Sequence, residues 1–390
     1  MSLLSFFGFD NFGGALGGLT GQFVDFPASK AGIVGTPYEA QLPITYGGVG
    51  QYNSMGVPND GRFRIGAGAE RRNMLIAACG GASSTYYALA KVGSGISYTI
   101  GGSNAFSITI GFNICDFSAA MPAGGYYAAR FSRAAGTLSN MIEHIGGSNQ
   151  YRLANTGNLY TITPGQPTYL EFIVDMPTPA NNTFRCRAYV NGELWSTNNA
   201  FTSLTAQTTE LFFEIGIDRV FSANRFIGFS DIYLLDATGE APFNDRLGPQ
   251  VVMPYKATAV SAPEWTLTGG TDPLAVLTDN SDATYLTSPL GKASINVDAD
   301  LKLTPGSQVN GVAFFTKVGR DAGAPRPIAG AATRVADGAA IGTPVTSPTA
   351  ATPSFVTSAR FFPKTPAERE LLNFPDTGKL RVILTSEQPG

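Results

Sequence analysis

Apolar and polar residues alternate along several short segments in the middle of the chain. Every second residue is apolar over residues 106–114, 170–175 and 184–190. A period of two places the apolar side chains on one face of a β-strand, so each segment predicts a strand with one face on a core. Residues 211–217 and 226–235 predict two more strands. Short strands at this spacing are typical of an antiparallel β-sandwich rather than of alternating strands and helices.

A tight turn is predicted directly after the third of these segments. Asn191 and Gly192 both tolerate a positive φ, which a type I′ hairpin requires at its two central residues. Glu193, Leu194 and Trp195 then predict the returning strand, so the two strands are expected to pair as a hairpin.

The first 50 residues are rich in glycine and show no helical period. Phe6, Phe7, Phe9 and Phe12 recur among the glycines, in a segment too weakly patterned to form a core of its own. Two interpretations remain open. The segment is either an arm whose phenylalanines pack on another chain during assembly, or a set of edge strands of the first sandwich.

Two regions follow this Gly-rich arm, which spans residues 1–50. Residues 51–250 are expected to form a first β-sandwich. Residues 251–390 are expected to form a second, smaller β-sandwich, because the chain becomes irregular over residues 236–256. Residues 321–354 are rich in Ala, Gly, Pro and Thr and are expected to be long loops. The strands expected in the second region are residues 293–297, 311–317, 355–362 and 379–385.

One short helix is predicted near the C-terminus. Thr365 suits the cap, Pro366 the first helical position, and Glu368 completes a capping box. The predicted fold class is therefore all-β, with two β-sandwiches, the Gly-rich N-terminal arm and one short C-terminal helix. We expect helix in less than about 10 % of residues, because the period of two dominates.

The composition excludes several classes of protein. The 390 residues include 46 glycines and 25 prolines, and only 14 % are charged, against about 25 % in an average globular protein. A hydrophobic content of 43 % argues against disorder, and a net charge of −3 argues against nucleic-acid binding. Neither an apolar run of 18 residues nor a basic signal-peptide start is present, so we expect no transmembrane helix and no signal peptide. Three widely spaced cysteines predict buried thiols in a reducing cytoplasm rather than a disulfide framework.

Several stretches resemble a known family. Residues 229–249 begin Phe-Ser-Asp-Ile-Tyr-Leu-Leu-Asp and end Asn-Asp-Arg-Leu-Gly-Pro. This run resembles the end of the lectin-like (concanavalin A-like) domain in structural proteins of tailed bacteriophages. Residues 169–194 are similar to the central strands and the Asn-Gly hairpin of that domain. Trp265 and residues 283–286 resemble the stretch that follows it in the same proteins.

The resemblance implies that the two sandwiches are jelly-roll or lectin-like domains, with residues 51–250 as the lectin-like one. It also implies a structural protein of a tailed-phage virion, made in the host cytoplasm. A tail- or fibre-associated position is expected, and a capsid-decoration or head-fibre protein is the alternative. Expected partners are other virion proteins, further copies of this chain in a trimer, and host surface polysaccharide. Neither nucleic acid nor a membrane is expected as a partner.

Three aromatic residues near turns are candidates for glycan contact, because a ring covers the apolar face of a pyranose. They are Trp195 in the first region and Trp265 and Tyr285 in the second. Ordinary packing at the end of a sandwich is the alternative for each ring.

An oxygen-rich loop lies between two of these aromatic residues in the sequence. Asp279, Asn280 and Asp282 place oxygen atoms at nearly alternate positions, which suits Ca²⁺. A plain Asx turn is the alternative. No other cofactor is expected.

A polysaccharide-degrading enzyme is the remaining alternative. Glu214 and Asp218 share one face of a strand, which places their Cα atoms roughly 13 Å apart. Glycosidase carboxylates lie about 5–9.5 Å apart, so an ion pair or a solvated rim is the favoured interpretation. His144 is the only histidine and follows no nucleophile motif. The sequence alone therefore predicts that the chain is not an enzyme.

Overall fold

The structure is a computed structural model of the chain. It describes residues 3–7, 31–34, 62–67, 73–79, 87–99, 107–116, 126–133, 136–175, 183–203, 208–217, 225–236, 240–241, 245–252, 255–278, 283–303, 307–319, 326–347, 354–361, 363, 365–374 and 378–386.

The chain divides into two compact units. The first comprises residues 1–20 and 25–253, and the second comprises residues 21–24 and 254–390. The strands of the first unit are β1 Leu3–Phe7, β2 Ala31–Val34, β3 Arg62–Ala67, β4 Asn73–Cys79, β5 Tyr87–Thr99, β6 Ser107–Asp116, β7 Tyr126–Arg133, β8 Gly136–His144, β9 Gln150–Leu153, β10 Leu159–Thr161, β11 Thr168–Asp175, β12 Thr183–Val190, β13 Glu193–Ser203, β14 Thr208–Ile217 and β15 Arg225–Leu235.

The first unit is a sandwich of two antiparallel sheets. The eight-stranded sheet has the order β13-β12-β11-β6-β15-β4-β3, with β1 paired to β15. The seven-stranded sheet has the order β10-β9-β8-β7-β14-β5-β2. The strands expected from the period of two are present, and the all-β fold class is confirmed.

Phenylalanine rings fill the core between the two sheets. Phe131 of β7 meets Phe184 of β12 edge-to-face, with 5.7 Å between ring centroids. Phe112 of β6 packs on Phe172 and Phe229 within the eight-stranded sheet. All five rings are buried, and each contributes roughly 1.5–3 kcal/mol of hydrophobic free energy. These contacts fix which face of each strand points inward.

The central strands of the eight-stranded sheet are buried on both faces. All eight residues of β11 are buried, and β6 buries Thr109 as well as Ile108 and Ile110. The expectation of one buried face is therefore wrong for these strands, because residues 245–250 lie over the outer face, away from the other sheet. The hydroxyl of Thr109 donates a hydrogen bond to the carbonyl of Asp245, 2.8 Å away.

The hairpin between β12 and β13 has the predicted turn. Asn191 and Gly192 have φ values of 49° and 91°, as a type I′ turn requires. Asn191 also ties the hairpin to β11, because its backbone N–H donates to the carbonyl of Tyr169 and its side-chain oxygen accepts the Tyr169 N–H.

The second unit is a smaller all-β assembly. Its strands are β16 Ala257–Ser261, β17 Thr266–Thr268, β18 Tyr285–Thr287, β19 Ala293–Asp300, β20 Val312–Val318, β21 Ile328–Arg334, β22 Ala340–Ser347, β23 Ser354–Phe361 and β24 Lys379–Ser386. A five-stranded sheet has the order β16-β19-β24-β21-β22, and two ribbons pair β17 with β18 and β20 with β23. The core lies where Ile295, Leu380 and Val382 of the sheet meet Phe361 of β23.

The expectation of long loops over residues 321–354 is wrong. Strands β21 and β22 lie in this stretch, and β21 pairs with both β22 and β24. Its inward positions are Ile328, Gly330 and Ala332, and the first and last of these belong to the core cluster. Small inward residues carry little hydrophobic signal, so the strand was not recognised in the sequence.

Two short helices occur in the part of the chain that the structure describes. Helix α1 spans Pro273–Thr278 and helix α2 spans Pro366–Glu370. The predicted capping box of α2 is present, since the Thr365 hydroxyl accepts the Glu368 N–H and the Glu368 carboxylate accepts the Thr365 N–H. Helix α1 was not predicted, although Asp272 before Pro273 is a start signal. The Asp272 carboxylate accepts the Leu274 N–H at 3.0 Å.

The N-terminal strand pairs inside the chain. Phe6 and Phe7 of β1 lie opposite Tyr233 and Ile232 of β15, so their backbone belongs to the first sandwich. Phe9 and Phe12 lie outside the described residues, and a role for the arm in assembly remains a prediction. Within the described part of the chain, no helix has the length and apolar character needed to cross a membrane.

Candidate functional site

Residues 245–252, here called the covering segment, cross the outer face of the eight-stranded sheet. Beneath them lie two tyrosines and one carboxylate, Tyr169 and Glu171 of β11 and Tyr233 of β15, which form the tyrosine–carboxylate cluster. Glu171 is fully buried, and the two tyrosines are 4 % and 2 % exposed. The cluster joins three elements that are distant in sequence.

The cluster binds the covering segment mainly through the backbone. Glu171 accepts hydrogen bonds from the Tyr233 hydroxyl and, at 3.2 Å, from the Gly248 N–H. The Tyr169 hydroxyl donates to the Gly248 carbonyl at 2.6 Å, and the Tyr233 oxygen accepts the Leu247 N–H at 3.2 Å. These bonds satisfy buried polar groups that would otherwise destabilise the fold.

Arg246 is the positive partner of the buried carboxylate. Its Nη1 lies 3.4 Å from Glu171 and 2.8 Å from the carbonyl of Gly192, and its guanidinium lies 4.0 Å from the centre of the Tyr189 ring. Burial raises the pKa of the Glu171 carboxyl, although Gly248 and Arg246 act to lower it. Burial, and then the charge on Glu171, raise the pKa of Tyr169. The cluster is closed to solvent, so its arrangement fits a structural role.

Asp231 is the first residue of the Asp-Ile-Tyr motif of β15, and its side chain binds the covering segment. It has a φ of 49° at an irregularity in the pairing of β15 with β6. Its carboxylate accepts hydrogen bonds from the Asn113 side chain and from the Val252 N–H, both at 2.8 Å. The irregularity lets Asp231 hold the end of the covering segment while Tyr233 binds its middle.

An aromatic pair lies at the edge of the sandwich, where β13 and β10 are the end strands of their sheets. The rings of Trp195 and Tyr160 meet edge-to-face with centroids 6.0 Å apart, and both residues are half-buried. The Trp195 indole N–H is buried without a hydrogen-bond partner among the described residues, so the exposed part of the ring is hydrocarbon. The Asn158 amide, which is exposed, donates to the Trp195 carbonyl at 3.3 Å. We call Asn158, Tyr160 and Trp195 the edge site.

The two aromatic candidates of the second unit do not share a surface. Trp265 and Leu286 pack against the core, whereas Tyr285 is 50 % exposed. Neighbouring residues of a strand point to opposite faces, so Tyr285 points away from the side on which Leu286 and Trp265 lie. Trp265 is half-buried against the core and Tyr285 is the more exposed of the two, and glycan contact by either ring stays a prediction.

The remaining candidates are either buried residues with a polar partner or residues outside the part of the chain that the structure describes. Glu214 is buried and pairs with Arg130 at 2.7 Å, which confirms the ion-pair interpretation. His144 is buried, with its Nε2 2.6 Å from the carbonyl of Ser148. Asp218 and the proposed Ca²⁺ loop residues Asp279, Asn280 and Asp282 lie outside the described residues. Among the described residues no group of three or more His, Cys, Asp or Glu side chains could hold a metal ion.

Comparison with known proteins yields distant similarity in structure only. No protein-family model and no curated protein sequence matches the chain. Among solved structures, the alginate lyase Aly36B matches with 12 % identity and a TM-score of 0.32, over 48 % of this chain and 90 % of its own. An endo-β-1,4-glucuronan lyase from Trichoderma reesei has 12 % identity and a TM-score of 0.32, over 45 % and 87 %. The cellulose-induced protein Cip1 has 10 % identity and a TM-score of 0.32, over 50 % and 91 %.

These matches correct one expectation from the sequence. The chain was expected not to be an enzyme, and the structures that it resembles include several polysaccharide lyases. At TM-scores of 0.31–0.33 the similarity assigns neither a substrate nor a catalytic residue to this chain.

The sequence missed two members of the edge site. Trp195 was identified, but Tyr160 and Asn158 lie on the other sheet and more than 30 positions earlier in the chain. The run Asn158-Leu159-Tyr160 contains no local signal of a partner on the other sheet, so the sequence alone could not join these residues to Trp195.

Proposed function

We propose that this chain is a structural protein of a tailed-phage virion that binds host surface glycans through the edge site. The observation that carries the binding proposal is the half-buried Trp195–Tyr160 pair, which lies beside exposed Asn158 and whose indole N–H is buried. Aromatic rings cover the apolar side of a pyranose. The Asn158 NH2 group donates to Trp195 and Ser196, and its side-chain oxygen can accept from a sugar hydroxyl.

The virion proposal is supported by the resemblance of the sequence to lectin-like phage proteins. The motifs of that resemblance have defined places in this fold, since Asp231 and Tyr233 of β15 hold the covering segment. We place the protein in the tail or in a fibre, as a trimer among other virion proteins, with a head-decoration protein as the alternative. Many copies on one particle would raise a weak single-site affinity to a useful avidity.

The binding proposal is tested by titrating the full chain with surface polysaccharide from the bacterial host. We expect Trp195→Ala to weaken binding about tenfold, because a stacked ring contributes on the order of 1 kcal/mol or more. Leu290→Ala is the control for loss of an exposed apolar side chain, since Leu290 is 87 % exposed and lies in the second unit, outside the edge site. Equal affinities of all three proteins would contradict the proposal.

The same incubation distinguishes binding from cleavage. Chain length of the polysaccharide is measured before and after exposure to the protein. Intact polysaccharide with measurable binding supports a glycan-binding role, whereas shortened chains would identify a polysaccharide-degrading enzyme.

Mass spectrometry of purified particles tests the location: a few copies per particle fit a tail tip or fibre, and hundreds fit a shell or tube.

A further inference from the structure

The outer face of the eight-stranded sheet is covered only in part. The covering segment lies over β11 and β6, where Ile173 and Thr109 are buried. The neighbouring strands β12 and β13 are more open, since Arg185 and Arg187 are partly exposed and Thr197, opposite Arg187, is exposed. The open part of the outer face therefore lies over β12 and β13, beyond the strands that the covering segment contacts.

Three arginines line this open area. Arg185 and Arg187 lie two residues apart on β12 and therefore on one face. Arg246 adds a third guanidinium over Tyr189, which is the next residue on that face. The exposed fractions of the three side chains are 30 %, 27 % and 30 %. We call these three residues the arginine row.

The arginine row carries more positive charge than its partners neutralise. Asp175 pairs with Arg185 at 2.5 Å and with Arg187 at 2.9 Å, while Glu171 accepts from Arg246. Three guanidiniums thus share two carboxylates. Glu193 and Asp245, on the adjoining elements, are exposed and form no ion pair with these three arginines.

Arg187 has unused hydrogen-bonding capacity. A guanidinium has five N–H donors, and Arg187 donates from Nη2 to Asp175. Its Nε is buried without a partner among the described residues, so any second anion must be reached by the outer nitrogens of this 27 % exposed side chain. Arg185, in contrast, binds both oxygens of Asp175 through Nε and Nη2. Arg185 is thus sufficient to anchor Asp175, and Arg187 is free to engage a second anion.

We propose that the arginine row binds the carboxylate groups of an acidic glycan. Guanidinium groups bind carboxylates through paired hydrogen bonds. The glycan assignment rests on the proposed function, because the row adjoins the strand that carries Trp195: Tyr189 lies opposite Leu194, directly before Trp195. The Trp195 ring lies against Tyr160 of the other sheet, so the arginine row would be a second contact area, on the outer face of the adjoining strand.

The charge requirement is tested first with the wild-type protein. The probes are oligogalacturonate and the same oligosaccharide with its carboxylates reduced to alcohols. We expect oligogalacturonate to bind with an affinity that falls as salt is raised, because the contacts are partly exposed, and the reduced probe to bind at least tenfold more weakly. Equal affinity for the two probes would overturn the proposal.

Two variants then locate the site. Arg187→Gln leaves Asp175 paired with Arg185 and should weaken oligogalacturonate binding about tenfold. Thr197→Glu changes an exposed residue opposite Arg187 and should weaken binding by repulsion, without removing any ion pair. Arg381→Gln is the charge-matched control, since Arg381 forms a partly exposed pair with Asp298 in the second unit. Full binding by both Arg187→Gln and Thr197→Glu would refute the arginine row as the site.

The outcomes separate the two proposals. If Trp195→Ala weakens binding of host polysaccharide while the arginine variants and carboxylate reduction have no effect, the glycan-binding function stands and the acidic specificity fails. If neither host polysaccharide nor oligogalacturonate binds the wild-type protein, the proposed function itself fails.

Discussion

At the scale of single residues, the tyrosine–carboxylate cluster depends on a glycine. A Cβ added at Gly111 of β6 would lie 2.3 Å from the Tyr233 ring and 2.6 Å from the Tyr169 hydroxyl. Neither tyrosine can easily move, because both hydroxyls bind the covering segment. We expect Gly111→Ala to lower the free energy of unfolding by about 1–3 kcal/mol, measured by urea denaturation.

Gly157→Ala is the control for this prediction. A Cβ at Gly157 would meet no atom within 4 Å, so we expect a change within about 0.5 kcal/mol. If the two substitutions had the same effect, close packing at Gly111 would not be the reason for the glycine.

Individual residues also show what could be learned from the sequence. The Asn191-Gly192 turn was predicted because its signal is local and its conformation is the one that these residues favour. The burial of Glu171 was not predicted, because its partner Arg246 lies 75 positions away. A carboxylate in an alternating strand normally faces solvent, and the sequence contains no sign that a later segment returns to cover it.

At the scale of elements, the capping box of α2 is the clearest agreement between sequence and structure. We expect Thr365→Ala to cost about 1 kcal/mol and to speed hydrogen exchange of the Glu368 amide about fivefold, because that N–H loses its acceptor. Thr287→Ala, at an exposed position of the same unit, should leave this amide unchanged. Unaltered exchange in Thr365→Ala would mean that the cap does not stabilise the helix.

Elements built from small residues were the ones that the sequence did not predict. Strand β21 buries Ile328 and Ala332 around Gly330, so its pattern resembles a loop rich in Ala and Gly. The strand is defined by its two neighbours, β22 and β24, to which it pairs along its length. Whether a segment of small residues forms a strand depends on the strands that pair with it. The pattern of residues along the segment does not show those partners.

At the scale of the whole molecule, the covering segment has a position that the motif alone did not suggest. It is held by Glu171 and Asp231, and it ends just before residue 254, where the second unit resumes. The resemblance drew attention to the Asn-Asp-Arg-Leu-Gly sequence. In the structure, the backbone N–H of its last residue, Gly248, donates a hydrogen bond to the buried carboxylate of Glu171. The aromatic edge site needed both sheets, and so only Trp195 could be found beforehand.

The buried Glu171 also makes the stability of the molecule depend on pH. Burial raises its pKa in the folded state above the value of about 4.3 in an unfolded chain. The folded protein therefore holds this proton more tightly than the unfolded chain does. The stability that Glu171 contributes is fully present below the unfolded pKa and is lost as pH rises through the folded pKa.

Glu171→Gln isolates this effect from the other carboxylates. The free energy of unfolding of the wild type minus that of the variant should fall as pH rises from about 4 to 7, with a slope of at most about 1.4 kcal/mol per pH unit for one proton. Urea denaturation at a series of pH values measures the difference. Glu193→Gln, at an exposed site, controls for loss of one charge. A difference that rises with pH would show that Arg246 and the Gly248 N–H outweigh burial, and that the carboxylate is held in its charged form.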